Sequence, residues 1–373
     1  MGGALAAGQT AAGPLTGRLA DRHGQRPVVL VACWLNALAV AALVLAAQAR
    51  TATLPLALIG LLAGASVPQI GPLARTRLVA LAHRAAAGDR VVSAALSLEG
   101  TLDEVSFVLG PALVGLAASV ARPAVALALA ALLLAVCGSA FALHPTAVAA
   151  GRAAGRAPRA TGAARGPRAR MPRAVHAMRL SMVLQGAMFG ACQAGITALT
   201  ERLHQPAQAG LVYAAMGVMS AAAGLSLALV PARIGLPTRW RAAAAALIVL
   251  SVPLLFVRSL GALYLVVVVL GVAFAPHLIT LFGLTERLVP ATRLAESMAF
   301  LTSSVVGGQA LALALSGRLA DAHGPSAAFA VAVGAAVLIL AVALTTRAGA
   351  RPAAPVRAPG PGQDAAADPA PAP

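Results

Sequence analysis

Long apolar runs, most of them near 20 residues and parted by short breaks of arginine, proline and glycine, recur along this chain. A bilayer core of about 30 Å is crossed by about 20 apolar residues of helix, so the runs read as membrane-spanning helices. Composition agrees, since 60% of the 373 residues are hydrophobic and 10% are charged. An average soluble domain carries about 25% charged residues. The breaks predict helices at 1–16, 28–48, 54–76, 91–120 and 123–144, then at 174–200, 207–231, 240–257, 260–284, 293–317 and 326–346. Five helices and then six make this an all-α polytopic membrane protein in two halves.

Four regions follow. Residues 1–144 form the first half and 174–350 the second. Between them, 145–173 holds seven Arg, four Gly, four Pro and no acidic residue, a composition that cannot bury a core and predicts a disordered basic linker. The tail, 351–373, contains seven prolines and is expected to be disordered too. With the break after residue 17 taken as cytoplasmic, alternate loops collect 23 arginines on one side and 5 on the other. The positive-inside rule then puts linker and C-terminus in the cytoplasm of a plasma (inner) membrane protein.

The net charge of +17 comes from 28 cationic side chains, all arginine. They follow topology and are not interleaved with aromatics, which argues against nucleic acid as a partner. Cys33, Cys137 and Cys192 each sit in an apolar run without metal-ligand spacing, so neither a disulfide framework nor a metal site is expected. No nucleophile–base pair is recognisable, and no GxxxxGK[ST] loop for ATP. The expectation is no enzyme, no catalytic residue and no cofactor.

Gly17-Arg-Leu-Ala-Asp-Arg-His-Gly-Gln-Arg-Pro-Val28 is a basic block between two apolar helices, and it resembles the signature loop of the major facilitator superfamily. The resemblance implies two six-helix halves rocking around a central site. A weak internal repeat fits two halves, because Gly64–Pro68 with Arg77 resembles Gly271–Pro276 with Arg287. Gly317–Gly324 nearly copies Gly17–Gly24, yet nine predicted helices separate them, so the second copy falls on the outer face. The second half's equivalent of the signature loop is then the stretch around Arg233 to Arg241. In the family the block joins the second and third helices, and only sixteen residues precede it here. The family's first helix is therefore expected to be missing from this sequence, by truncation or a miscalled start.

The resemblance also implies a gate motif of Gly17, Asp21, Arg22, Gly24 and Arg26, with Arg75 and Arg77 nearby. Asp21 would accept from free N–H groups near Thr292 to Leu294 and pair with Arg75 or Arg77, latching the inner gate. Gly17 would allow close packing, while Arg22 and Arg26 would hold phosphates or partners. Glu296 places a like charge beside the latch. Gly110, Pro111 and Gly115 partly match a glycine-rich exporter signature and read as a helix-packing motif. An arginine in the middle of the preceding helix, a second exporter signature, is not expected, because Arg75 and Arg77 fall at that helix's cytoplasmic end.

Glu99, Asp103 and Glu104 are the acidic residues deep in an apolar run, where an ionised carboxylate costs about 2.5–3.5 kcal/mol. At 100° per residue Glu99 and Asp103 fall about 40° apart, while Glu104 points elsewhere. Asp103 is the candidate proton carrier, and a structural bond to a neighbouring helix is the alternative. Gln193 and His277 head the other cavity candidates, with Gln185, Thr302, Ser303 and Gln309. The expectation is a proton-coupled transporter of small organic molecules, an exporter and a monomer in the lipid bilayer. The alternatives are an importer and a transport-incompetent membrane protein acting in sensing or assembly.

Overall fold

Residues 2–120, 123–147, 171–231 and 233–346 are described by a computed structural model, and among them there are twelve α-helices and no strand. The first half contains α1 (Gly2–His23), α2 (Gln25–Gln48), α3 (Thr53–Ala65), α4 (Ile70–Arg84), α5 (Asp89–Val120) and α6 (Pro123–Leu143). The second contains α7 (Arg173–Arg202), α8 (Gln208–Ser226), α9 (Leu236–Ser251), α10 (Leu260–Leu288), α11 (Leu294–His323) and α12 (Pro325–Thr345). Among the described residues nine spans are long and apolar enough to cross a membrane, α3 and α4 counting as one. The two remaining helices, α1 and α5, carry Asp21 and Arg22, and Glu99, Asp103 and Glu104, respectively. Most of the basic linker and all of the tail lie outside the described residues.

Helix ends depart from the apolar runs. α1 continues through the signature block to His23 and stops where Gly24 takes φ 86°, a conformation open to glycine without steric cost. The block is thus two helix ends around one residue. Gly324 repeats that break with φ 87°, yet its surroundings differ: Asp321 is exposed, and a Cβ at Gly317 would meet nothing within 4 Å. The helix predicted at 54–76 is broken at 66–69 and resumes as α4, running to Arg84. Pro68 has no N–H for the carbonyl of Gly64, which accepts from Val67 N–H at 3.2 Å, and the carbonyl of Ala63, which Val67 would serve in a continuing helix, accepts instead from Asn36 Nδ2 on α2 at 2.6 Å. Arg75 and Arg77 therefore lie inside a helix and are buried, which corrects their expected place at a helix end.

Helices in lipid associate through close packing of small residues rather than hydrophobic exclusion. A Cβ at Gly8 would strike the carbonyl of Leu61, and one at Gly64 that of Leu5, so α1 and α3 touch backbone to backbone. Gly186 and Gly190 of α7 meet the α11 backbone at Val305 and Gln309 in the same way. α1 also runs along α11, Thr10 facing Gly307 and Gly17 facing Ala295, which joins the two halves. The largest buried cluster lies mostly in the second half, around Met178, Trp240, Phe274 and Phe329, and takes in Val79, Val92 and Leu96 of the first.

Candidate functional site

Glu99 and Asp103, one turn apart on α5, both bond to Arg75 of α4. Arg75 Nε reaches Glu99 Oε2, and Nη2 donates to Asp103 Oδ2 at 2.7 Å. The guanidinium lies over the ring of Phe282 on α10, 3.8 Å from its centroid, a cation–π contact that crosses from one half to the other. Arg75 and Glu99 are enclosed, with side chains 1% and 10% exposed, whereas Asp103 is 31% exposed. Glu99 and Asp103 stand ten and fourteen residues into α5, about 15 and 21 Å along it at 1.5 Å per residue. The triad therefore sits deep in the span. The side chain of Glu104 lies outside the described residues.

Asp103 forms part of the wall of a cavity of about 540 Å³. Gln193 of α7, Tyr213 and Ser220 of α8, Phe274 of α10 and Gln309 of α11 line it too, and the rings of Phe189 and Phe274 stack with centroids 4.5 Å apart. Its lining extends to Ala207 and Leu211 at the turn between α7 and α8, the end of the bundle opposite Asp21. A volume in the range of about 300–1,000 Å³ suits a small organic molecule.

His277, expected at the cavity, is fully buried away from it. Trp240 Nε1 donates to its Nε2 at 3.3 Å, which leaves Nδ1 as the donor to Gln185 Oε1; Gln185 Nε2 in turn donates to the carbonyl of Phe274 at 3.0 Å. Each ring nitrogen has a partner of fixed role, so the imidazole is a structural link that steadies Phe274. The expected packing role of Gly110 also fails, because it is exposed and nothing lies within 4 Å of where its Cβ would stand. The side chains of Pro111 and Gly115 lie outside the described residues.

At the other end, the Asp21 carboxylate accepts from the backbone N–H groups of Ala295 at 3.2 Å and Glu296 at 2.8 Å. These are free donors of the first turn of α11, where negative charge is favoured. The contact falls just beyond the expected Thr292 to Leu294, and the expected basic partners are engaged elsewhere: Arg75 is held by the triad. Arg77 donates to Gln25 Oε1 at 2.6 Å and to the carbonyl of Phe141 at 2.7 Å. Glu296 is held by Arg293 through two bonds of 3.2 Å. Gly17 packs so closely that a Cβ there would stand 2.6 Å from the Ala295 carbonyl. Arg26 donates to Leu143 O at 3.0 Å and Arg22 is exposed.

A second bridge between the halves joins α5 to α8, where Ser97 Oγ donates to Gly224 O. Sequence reasoning missed Phe282, Phe141 and Phe300, which lie under Arg75, Arg77 and Arg179. Their scarcity was the available signal, since aromatics make up 3% of the chain.

A family model described as Major Facilitator Superfamily matches residues 1–297. No curated protein matches the sequence. Solved structures do resemble it. The human organic anion transporter MFSD10 (TETRAN) aligns with TM-score 0.70 and 20% identity over 92% of this chain and 82% of that one. The E. coli fucose:proton symporter FucP gives 0.62 and 15% over 91% and 88%. A bacterial homologue of the iron transporter ferroportin, in an outward-facing state, gives 0.62 and 17% over 91% and 88%. At these identities the likeness establishes the fold.

Proposed function

Because the chain belongs to the major facilitator superfamily, we propose that it couples the export of small organic molecules to protons, its two halves alternating access to one central cavity. The observation that carries this reading is Asp103, a carboxylate on the cavity wall whose partner Arg75 reaches across to Phe282 in the opposite half. A charge change at Asp103 is thereby felt at the interface that must open and close. In this reading the Asp21 contact is the latch of one closed end. The arginine asymmetry, which survives removal of the buried Arg75 and Arg77 from the tally, supports a cytoplasmic place for that end, and in this reading the cavity opens outward. Export as the direction is carried over from the sequence resemblance of Gly110, Pro111 and Gly115 to an exporter signature and not from any packing of Gly110, which stands in open space. The protein would work as a monomer in the plasma membrane.

A deletion strain screened against a compound panel identifies a substrate, and its radiolabelled form is then followed in vesicles with and without an uncoupler. Asp103→Asn is expected to reduce gradient-driven transport at least about tenfold, the range for losing a group that carries the coupled charge. Undiminished, uncoupler-sensitive transport by the variant would refute the assignment.

A further inference from the structure

Two side-chain amides in the cavity wall, Gln193 of α7 and Gln309 of α11, have no hydrogen-bond partner among the described residues, and both are partly exposed. Each presents a donor and an acceptor side by side in one plane. The two belong to one patch. Gln193 stands one turn beyond Phe189 on α7, and a Cβ at Gly190, between them in the chain, would strike the Gln309 carbonyl. Phe189 is the accessible ring of its stack, because Phe274 behind it is fully buried. The backbone of Phe274 is held in turn through Gln185 by His277 and Trp240. A flat apolar face on a rigid backing therefore stands beside two donor–acceptor pairs.

This patch selects by what each kind of ligand would leave unpaired. A wholly apolar molecule would strip water from both amides and return no hydrogen bond. A polyol would satisfy the amides but set its remaining hydroxyls against Ile196, Leu211, Met216, Leu278 and Val305, where they go unpaired. Asp103, the charged residue among the described lining, is already bonded to Arg75, so the patch itself is neutral. A planar heterocycle meets all of these demands at once. Its face stacks on an aromatic ring, and an edge that sets an N–H beside an acceptor matches a side-chain amide in two bonds, as glutamine does with a purine edge.

We propose that the substrates are neutral planar nitrogen heterocycles of the nucleobase kind, lying on Phe189 and read along one edge by Gln193 and Gln309. This names the substrate class of the transport reading above and rests on it.

The test is equilibrium dialysis of radiolabelled hypoxanthine against the purified full-length chain in detergent, with unlabelled dimethylhypoxanthine and glucose as competitors. The dimethyl compound keeps the ring and its acceptors but carries a methyl group in place of each N–H. It is expected to bind at least about tenfold more weakly than hypoxanthine, the discrimination expected of one lost bidentate pair, and glucose should not compete. Gln193→Leu and Gln309→Leu keep most of the side-chain volume and remove the amide, so each should weaken hypoxanthine and narrow the gap between the two compounds. Phe189→Leu should weaken both compounds alike. If the variants do not fold, the two compounds compared on the unaltered chain decide. Absence of hypoxanthine binding, a dimethyl compound bound as tightly as hypoxanthine, competition by glucose, or a gap that neither glutamine variant narrows would overturn the proposal. Hypoxanthine bound with the expected selectivity but never moved by a proton gradient in vesicles would instead overturn the transport reading and leave the heterocycle site standing.

Discussion

Arg75 bonds two carboxylates of α5 and stacks on a ring of α10, so it has three partners to lose at once. Removing one side of a buried ion pair costs about 3–5 kcal/mol, because the remaining charge stays in a medium that cannot solvate it. Arg75→Ala is accordingly expected to destabilise the folded bundle by about that amount. Arg75→Lys should recover only part, since an ammonium lacks the planar fork and the stacking face. The double change Arg75→Leu with Glu99→Gln, which removes one charge of each sign, should be milder than Arg75→Ala alone. With the exposed Cys137 replaced by serine, thermal unfolding followed by a thiol-reactive dye reads this directly, because Cys33 and Cys192 are buried in the folded chain. Equal melting of Arg75→Ala and the unaltered protein would contradict the triad. The phase of Glu99 and Asp103 on one stripe was legible in the 100° periodicity, but their partner was not. An arginine after a run of apolar residues looks like the end of a span unless the facing helix is known to supply carboxylates.

At the scale of helices, apolar periodicity located the spans and misjudged their ends. A run ends where the side chains cease to be oily, whereas a helix ends where its backbone finds no further partner. α1 goes seven residues past its apolar run because Arg18 to His23 are good enough helix residues, and Arg22 and His23 suit the negative end of the dipole. The break at 66–69 fell inside the predicted span, because Ser66, Pro68 and Gln69 are flanked by apolar residues on both sides, and the turn of the Ala63 carbonyl to Asn36 marks it. Glycines show the same limit. Gly8 and Gly110 look alike in sequence, but a Cβ at Gly8 would strike the Leu61 carbonyl and one at Gly110 would meet open space. Gly8→Ala is expected to lower the melting temperature by forcing α1 off α3. Gly110→Ala should leave it unchanged or raise it slightly, since alanine is favoured over glycine in a helix by about 1 kcal/mol. Reversed signs in the same melting assay would show that the packing of α1 on α3 is misassigned.

For the whole molecule, the question is how much each contact at the Asp21 end contributes to keeping that end shut. Alternating access needs two states within a few kcal/mol of one another, and a change of about 1.4 kcal/mol moves their ratio tenfold. The Asp21 carboxylate, accepting from two free N–H groups at the positive end of α11, is the kind of cap whose loss costs about 0.5–2 kcal/mol. That is enough to redistribute the states and too little to unfold the protein. Asp21→Asn keeps the shape but removes the charge, and Gly17→Ala places a methyl group against the Ala295 carbonyl, so both should penalise the same state by different means. Spin labels at the exposed positions Ala85 and Arg233, in opposite halves at this end, would report its opening; labels at Arg50 and Arg258 would report closure of the other end. With Cys33, Cys137 and Cys192 replaced by serine, each variant is expected to lengthen the first distance and shorten the second, raising the population open at the Asp21 end by up to about tenfold. The second copy of the motif supplies the control: Asp321 is exposed and Gly317 has open space around it, so Asp321→Asn should move neither distance. Unchanged distances in Asp21→Asn would mean that the two hydrogen bonds at the start of α11 do not decide which end is open.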